Sequence, residues 1–233
     1  MANERSLLDE YLEIVASVKN FVEENIQLGI LEIPKEKNDD NIYKNDLFED
    51  INAKSYQSMM DIRLAVENCR LCPLHKTRTN VVFGTGNEKA KLVFVGEAPG
   101  ADEDAQGMPF VGKAGQKLTQ IIQAIGLTRE EVYITNVLKC RPPNNRNPLP
   151  EEIRCCEPYL IHQLKIIKPE TICALGTFAA QTLLKTDQPI SKLRGRFHTY
   201  QGIRLMPTYH PAFILRNPQY KRDVWEDVQK LVK

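Results

Sequence analysis

Four cysteines have a spacing that suits a metal ion or a metal cluster. Cys69 and Cys72 form a C-x2-C pair, Cys140 follows after 67 intervening residues, and Cys156 follows after 15 more. Two thiolates in one turn can bind one ion or cluster, and two more from a loop and a helix can complete a four-cysteine site. The spacing alone leaves zinc and an iron–sulfur cluster equally open. The adjacent Cys155 could also replace Cys156 as the ligand.

Three polar residues stand at the ends of predicted strands: Glu97, Asn136 and His210. Glu97 follows the apolar run "KLVFVG", which predicts a buried strand that ends in a tight turn. Ligands of a parallel sheet bind beyond the C-terminal ends of its strands, so we expect these three side chains in one cleft. Each has a plainer interpretation. Glu97 could cap a following helix, Asn136 could be a turn residue, and His210 could be a loop histidine.

The segments that position these residues alternate between strand and helix from residue 91 onward, after a short predicted helix over residues 55–67. The predicted strands are "KLVFV", "VYITNVLK" and "TICALG", followed by a hairpin around "FHTYQGIRLMP". The predicted helices are "GQKLTQIIQAIG", residues 151–167, "TFAAQTLL" and "RDVWEDVQKLV". Such alternation predicts a three-layer α/β/α fold with a central, mainly parallel sheet.

The first 54 residues differ in character and are predicted to form a separate extension. Apolar residues at steps of three and four over residues 6–30 indicate an amphipathic helix, and the polar stretch 34–54 indicates a linker. Residues 1–70 contain 8 Lys and Arg against 15 Asp and Glu, a net charge of −7. We therefore expect an acidic helical extension over residues 1–54, with a helix that packs on the main domain, residues 55–233, or on a protein partner.

The rest of the chain is basic. Residues 71–233 carry 23 Lys and Arg against 15 Asp and Glu, and residues 185–222 hold eight basic residues and one acid, Asp187. A one-sided basic segment is typical of proteins that bind a phosphate backbone, although a solvated lysine-rich face has the same composition. Charge alone therefore does not identify the partner.

We expect the protein to stay in the cytoplasm. The N-terminus "MANERSLLDEYLEIV" lacks the basic and apolar regions of a secretion signal. Charged residues interrupt every apolar run before it reaches the length of a membrane span, so no membrane contact is expected. In the cytoplasm, cysteines are more often metal ligands than members of a disulfide framework.

Three further motifs stand in order along the chain: "GEAPGADEDAQGMPFVGKAG", "YITNVLKCRPPNNRNPLP" and "YHPAFILRNP". Together with the cysteine spacing, they make the sequence resemble the family 4 uracil-DNA glycosylases. The resemblance covers residues 68–233 and implies the uracil-DNA glycosylase-like fold for this part of the chain. It also implies a [4Fe–4S] cluster held by Cys69, Cys72, Cys140 and Cys156, because the family's interval of fifteen residues selects Cys156 rather than its neighbour.

The resemblance assigns roles to the residues of the expected cleft. Glu97 would stabilise the cationic sugar and orient a water molecule as the N-glycosidic bond breaks, by the logic of O-glycoside hydrolysis. His210 would donate a hydrogen bond to the uracil oxygen that gains negative charge. Asn136 would bind the polar edge of uracil, Phe110 would stack on its face, and the backbone N–H of Ala98 would contact the base.

The implied activity is that of a monofunctional uracil-DNA glycosylase, which hydrolyses the N-glycosidic bond of uracil in DNA and leaves an abasic site for base excision repair. The alternative is a non-catalytic DNA-binding or polymerase-associated module of the same fold; an iron–sulfur electron carrier is a third possibility. The expected partner is uracil-containing DNA, single- or double-stranded, bound by a monomer. Only a base rotated out of a duplex can reach such a cleft.

Contact with DNA is expected just beyond His210. Leu215 offers an apolar tip that could fill the gap left by an extruded base, and Arg216 offers a cation for phosphate. The alternative is that the apolar residues 213–215 begin a core helix, as burial preferences would favour.

Overall fold

The computed structural model of this chain describes residues 55–232, together with Ala16 and Lys19. The helix predicted over residues 6–30, apart from these two residues, and the linker predicted over residues 34–54 lie outside the described residues. Residues 55–232 fall within a compact unit that spans Leu47–Lys233. Within this described part, no helix has the length and apolar character needed to cross a membrane.

A six-stranded sheet lies at the centre of the described domain. Across the sheet, the third, second, fourth and sixth strands are neighbours and run parallel, while the first and fifth pair antiparallel at the two edges. In chain order the strands are β1 (Thr85–Gly86), β2 (Leu92–Gly96), β3 (Tyr133–Asn136), β4 (Thr171–Leu175), β5 (His198–Tyr200) and β6 (Ile203–Thr208).

One helix precedes the first strand, others lie between the successive parallel strands, and two follow the last strand. In chain order the helices of the described part are α1 (Met59–Glu67), α2 (Ala101–Gln106), α3 (Lys113–Ala124), α4 (Pro150–Ile167), α5 (Thr177–Leu184), α6 (Ile190–Leu193), α7 (Pro211–Arg216) and α8 (Lys221–Val228). Four short 3-10 segments, Pro73–Lys76, Pro143–Asn145, Pro218–Tyr220 and Gln229–Leu231, complete the regular structure of these residues.

Separate apolar clusters cover the two faces of the sheet. Side chains point alternately to opposite faces along a strand, so β2 directs Val93 to one face and Phe94 to the other. Val93 belongs to a cluster that includes Leu160 of α4, whereas Phe94 belongs to a cluster that includes Leu118 of α3. The prediction of a three-layer α/β/α fold with a mainly parallel sheet is therefore confirmed.

The strand predicted over "VYITNVLK" ends at Asn136, earlier than the apolar pattern suggests. The next two backbone N–H groups, of Val137 and Leu138, donate to the consecutive carbonyl oxygens of Gly96 and Glu97, at 2.9 and 3.0 Å. Within a sheet, only every second N–H group of a strand points toward the same neighbouring strand. Bonds from two consecutive N–H groups to one neighbour therefore mark the end of regular pairing between β3 and β2. The bonds also hold the chain after β3 against the turn that follows β2.

Periodicity does not predict α2 and α7, because each has only six residues. Patterns with a period of 3.6 residues need about two turns or more to be recognised. The first of these helices begins directly after Gly100 and the second directly after His210. Both therefore lie in the motifs that carry the candidate site.

Candidate active site

A pocket of about 490 Å³ lies at the C-terminal ends of the parallel strands. The structure brings together here the residues that the sequence places far apart. Those of the predicted cleft that line the pocket are Glu97, Ala98, Phe110, Asn136 and His210, joined by Arg216 at the end of α7.

Glu97 is the first residue after β2, in a turn whose backbone is bonded to the segment after β3. Burial raises the pKa of its carboxyl group from 4.5 to about 7. The interpretation of Glu97 as a helix cap is wrong, because α2 begins at Ala101 and its N-cap residue is Gly100. Glu97 therefore presents to the pocket a carboxyl group that exchanges its proton near neutral pH.

Asn136 is the last residue of β3 and is 1% exposed. Among the described side chains, its Oδ1 atom is the one buried polar atom without a hydrogen-bond partner. A Cβ atom at Gly96 would lie 2.3 Å from this oxygen and 2.6 Å from Cζ of Phe110, so only glycine leaves room for both side chains. A buried acceptor left unpaired costs about 1–3 kcal/mol, which indicates that a ligand donor completes it.

His210 presents one ring nitrogen to the pocket as a donor. It is the N-cap residue of α7, and its Nδ1 atom accepts a hydrogen bond from the backbone N–H of Ala212 at 3.1 Å. This bond requires an unprotonated Nδ1, so the neutral ring carries its proton on Nε2. Burial, with the nearby charge of Arg216, lowers the pKa of His210 to about 4. The ring is therefore a neutral hydrogen-bond donor at physiological pH.

Phe110 serves both the core and the pocket. It is 6% exposed and packs in the cluster that contains Leu118. Its ring also faces that of His210, with 5.7 Å between ring centroids and 32° between planes. Its backbone has a φ of 54°, which is rare for a bulky residue and indicates that the surroundings hold it in place.

Two pocket cations lie within the quoted motifs but were not assigned from the sequence: Lys113 and Arg146. Lys113 is the first residue of α3, and its place in "FVGKAG" is the signal that could have found it. Arg146 makes two hydrogen bonds to the carboxylate of Glu152, at 2.9 and 2.6 Å. These bonds hold the guanidinium of Arg146 in place, and Lys113 is an exposed residue of the pocket lining.

The apolar residues after His210 divide between core and surface. Ile214 is buried in a cluster with Val224 of α8, and Phe213 stacks on Tyr209 with 4.9 Å between ring centroids. Leu215 is 43% exposed. The helix predicted as an alternative is thus present, but Leu215 lies on its open side.

A second pocket is lined by five cysteines: Cys69, Cys72, Cys140, Cys155 and Cys156. Burial and the mutual repulsion of the thiolates raise the pKa of Cys72 to about 12. The pKa values of Cys140 and Cys156 are raised by burial as well. Without a bound metal, the thiols of Cys72, Cys140 and Cys156 therefore keep their protons at neutral pH.

Hydrogen bonds distinguish the two adjacent cysteines. Sγ of Cys156 accepts from the backbone N–H of Lys139 at 3.2 Å, whereas Sγ of Cys155 donates to the carbonyl oxygen of Leu71 at 3.6 Å. Sγ of Cys140 likewise accepts from Arg78, at 3.1 Å. N–H donors to sulfur are typical of ligating thiolates, while a thiol that donates keeps its proton.

The four predicted ligands, Cys69, Cys72, Cys140 and Cys156, all line this second pocket. In residues 55–232, no three His, Cys, Asp or Glu side chains are grouped closely enough to hold one metal ion. The sixth cysteine, Cys173, is fully buried in β4, as expected of a structural residue.

Comparison with known proteins agrees with this architecture. The sequence model of the Uracil DNA glycosylase superfamily matches residues 83–229. The chain is 49% identical over 183 residues to a Type-4 uracil-DNA glycosylase of Archaeoglobus fulgidus, which covers 75% of this chain and 92% of the relative. It is 47% identical to a Type-4 uracil-DNA glycosylase of Thermotoga maritima, over 71% of this chain and 88% of the relative. It is also 47% identical to a Type-4 uracil-DNA glycosylase of Saccharolobus solfataricus, over 71% of this chain and 81% of the relative.

Proposed function

This chain belongs to the uracil DNA glycosylase superfamily, and we propose that it is a uracil-DNA glycosylase that hydrolyses the N-glycosidic bond of uracil in DNA. The observation that carries the proposal is the grouping of three chemical functions around one pocket. These are the carboxyl group of Glu97, the neutral imidazole of His210 and the partnerless carboxamide oxygen of Asn136. The pocket offers nothing that favours a non-catalytic module or an electron carrier.

Recognition of the base rests on Asn136. A carboxamide can accept a hydrogen bond from N3–H of uracil through Oδ1 while its amide group donates to O4. Cytosine has an acceptor at N3 and a donor at C4, so the same carboxamide would meet mismatched groups. The ring of Phe110, beside Asn136, would stack on the flat face of the base.

Bond cleavage uses Glu97 and His210. As the C1′–N1 bond breaks, its electron pair leaves with uracil and the sugar gains cationic character. The Nε2–H of His210 would donate to O2 of the departing anion, and the carboxylate of Glu97 would stabilise the cation. Water then adds to C1′, and its proton passes to Glu97.

The cysteine site has a structural role, not a catalytic one, in this proposal. Cys69, Cys72, Cys140 and Cys156 would hold a [4Fe–4S] cluster, which when bound would join the segment before β1, the loop after β3 and helix α4. The thiol of Cys155, which donates to a backbone carbonyl, would stay outside the ligand set.

Uracil-containing DNA is the proposed partner, with Lys113, Arg216 and Leu215 as its contacts. The cations at the pocket mouth suit the phosphates that flank an extruded nucleotide. Exposed Leu215 suits the space that the nucleotide leaves in a duplex. We propose in addition that the enzyme acts as a cytoplasmic monomer and that residues 1–54 are not needed for the chemistry.

Incubation with an oligonucleotide that carries a single uracil tests the function. We expect strand cleavage at the uracil only after alkali treatment, because hydrolysis of the base leaves an alkali-labile abasic site. Cleavage without alkali would contradict the proposed monofunctional reaction. Matched oligonucleotides with cytosine or thymine at the same position should remain intact. Binding of the uracil strand without cleavage after alkali would contradict the enzymatic function and favour the binding module.

A further inference from the structure

Two separate segments form the walls of the pocket around Phe110. The first is the turn from Glu97 to Gly100, which follows β2. The second is the loop from Phe110 to Gly112, which leads into α3. Their relative position determines how far the aromatic ring lies from the carboxyl group of Glu97. A residue that binds both segments would control the width of the pocket.

Glu103 binds both walls through a single carboxylate. One oxygen, Oε2, accepts from the backbone N–H of Gly100 at 3.1 Å. The other, Oε1, accepts from the backbone N–H groups of Val111 and Gly112, at 3.0 and 3.1 Å. Hydrogen bonds from three backbone N–H groups to one carboxylate hold it more firmly than a single bond would. Glu103 thus joins the Glu97 turn to the residue directly after Phe110.

Glycines leave the space that this arrangement requires. A Cβ atom at Gly100 would lie 2.8 Å from Oε2 of Glu103, and one at Gly112 would lie 2.4 Å from Oδ2 of Asp102. A side chain at Gly100 would therefore displace the carboxylate of Glu103, and one at Gly112 would displace that of Asp102.

Phe110 needs such external support. Its φ of 54° is unfavourable for an aromatic residue, and strain of this kind persists only where neighbouring contacts hold it. On its N-terminal side, Arg129 donates to the carbonyl oxygen of Pro109 at 2.9 Å. On its C-terminal side, the bonds to Glu103 hold Val111. The conformation of Phe110 is therefore imposed from both sides.

We propose that Glu103 is a positioning residue of the uracil pocket, which fixes the ring of Phe110 relative to the turn that carries Glu97. The inference rests on the function proposed above. In this role Glu103 acts through its hydrogen bonds to three backbone N–H groups and not by proton transfer. Its effect is to hold the stacking face and the carboxyl group at the separation that an extruded uracil requires.

Single-turnover kinetics of Glu103→Gln test this role. The substituted amide brings an N–H₂ group against backbone N–H donors, so at least one wall is released. We expect the rate constant for uracil excision to fall about ten- to a hundredfold, since a displacement of about 1 Å can cost a hundredfold. The inhibition constant for free uracil should rise by a similar factor, while affinity for duplex DNA with an abasic-site analogue should be unchanged.

Asp61→Asn is the matched control. Asp61 caps α1, far along the chain, and its carboxylate accepts from the backbone N–H groups of Gln57 and Ser58 at 3.1 and 2.9 Å. The control also replaces a backbone-binding carboxylate by an amide, so it should lower stability without changing the rate constant or uracil inhibition. With folded enzyme in saturating excess over the DNA, the single-turnover rate constant does not depend on the fraction of a variant that is unfolded.

Glu103→Asp provides a second test if Glu103→Gln does not fold. It keeps the charge but is too short to bind both walls, so excision should again slow and uracil inhibition should weaken. A wild-type rate constant and a wild-type inhibition constant in either variant would overturn the positioning role while the function stands. Absence of uracil excision by the wild-type protein would instead overturn the proposed function, and the positioning role with it.

Discussion

The Nζ atom of Lys139 donates a hydrogen bond to the backbone carbonyl of Asn136 at 2.7 Å. The ammonium group is fully buried and also donates to Oγ1 of Thr135 and Oε1 of Gln163, each at 2.7 Å. The backbone N–H of the same lysine donates to Sγ of Cys156. One residue therefore connects the strand end that carries the proposed base-reading carboxamide with the cysteine site.

Lys139→Met should destabilise the protein. The substitution keeps the length of the side chain but leaves buried acceptors without their donor, at about 1–3 kcal/mol each, partly offset because a buried charge is removed. We expect the free energy of unfolding to fall by about 2 kcal/mol in a denaturant titration. Lys91→Met is the control, since Lys91 pairs with Glu170 on the surface, where an ion pair contributes about 0–1 kcal/mol. Equal stability of the two variants would contradict the assigned role of Lys139.

Uracil excision should speed up as pH rises through about 7, the pKa to which burial raises Glu97. The ionised carboxylate stabilises the cationic sugar, so the single-turnover rate constant should rise about tenfold per pH unit below 7 and then level off. His210, with a pKa of about 4, stays neutral over this range. Glu97→Gln should remove the dependence, whereas exposed Glu226→Gln should keep it. A flat wild-type profile between pH 5 and pH 8 would be inconsistent with the role of Glu97.

The same shift affects stability with a defined sign. The folded-state pKa of Glu97 exceeds its unfolded value of 4.5, so the native state binds the extra proton between about pH 4.5 and pH 7. Its contribution to stability is full below pH 4.5 and is lost as pH rises through 7. Glu97→Gln should therefore stabilise the protein more, relative to wild type, at pH 8 than at pH 4, as measured by denaturant titration.

Asn136→Asp should remove most uracil excision. The carboxylate keeps an acceptor but loses the donor to O4 and adds a charge to a buried position. Each unsatisfied bond costs about 1–3 kcal/mol, so we expect a fall of at least about tenfold in the single-turnover rate constant. The rate constant of Asn136→Ala should fall by a similar factor. That of the control Asn87→Asp, in the turn after β1, should equal the wild-type value. Excision at the wild-type rate by Asn136→Ala would place the base elsewhere.

Cys156→Ala and Cys155→Ala should differ in metal content. The purified protein should be brown, with iron and sulfide in amounts that match one [4Fe–4S] cluster. Cys156→Ala should lose iron and stability, because its sulfur accepts an N–H bond and is a proposed ligand. Cys155→Ala should keep its iron. Equal iron loss in both variants would contradict the ligand set, and stoichiometric zinc in anaerobically prepared protein would contradict the cluster.

Leu215→Ala should slow excision from duplex DNA more than from single strands. Only the duplex has a base stack in which an extruded nucleotide leaves a gap for the exposed leucine. The ratio of the two single-turnover rate constants measures the effect. Met60→Ala, which shortens another exposed side chain on α1, should leave the ratio unchanged. Equal losses on both substrates would exclude insertion of Leu215.

The sequence by itself determined the order of most strands and helices along the chain and the identity of the candidate residues. The apolar run of β2, the interval between the cysteines and the three motifs depend on neighbouring residues or on their spacing, so they can be read without a fold. Periodicity likewise predicted the helices α3 and α4. It did not predict α2 and α7, because six residues are too few to show a helical period.

Only the tertiary structure decided how those residues are held. The raised pKa of Glu97, the unpaired oxygen of Asn136 and the proton on Nε2 of His210 all result from burial or from partners that the local pattern does not specify. The bonds from Glu103 and Lys139 likewise join segments whose proximity arises from packing. Spacing names candidate residues, but burial and hydrogen bonding depend on which distant segments meet, and that is settled only when the sheet and its helices assemble.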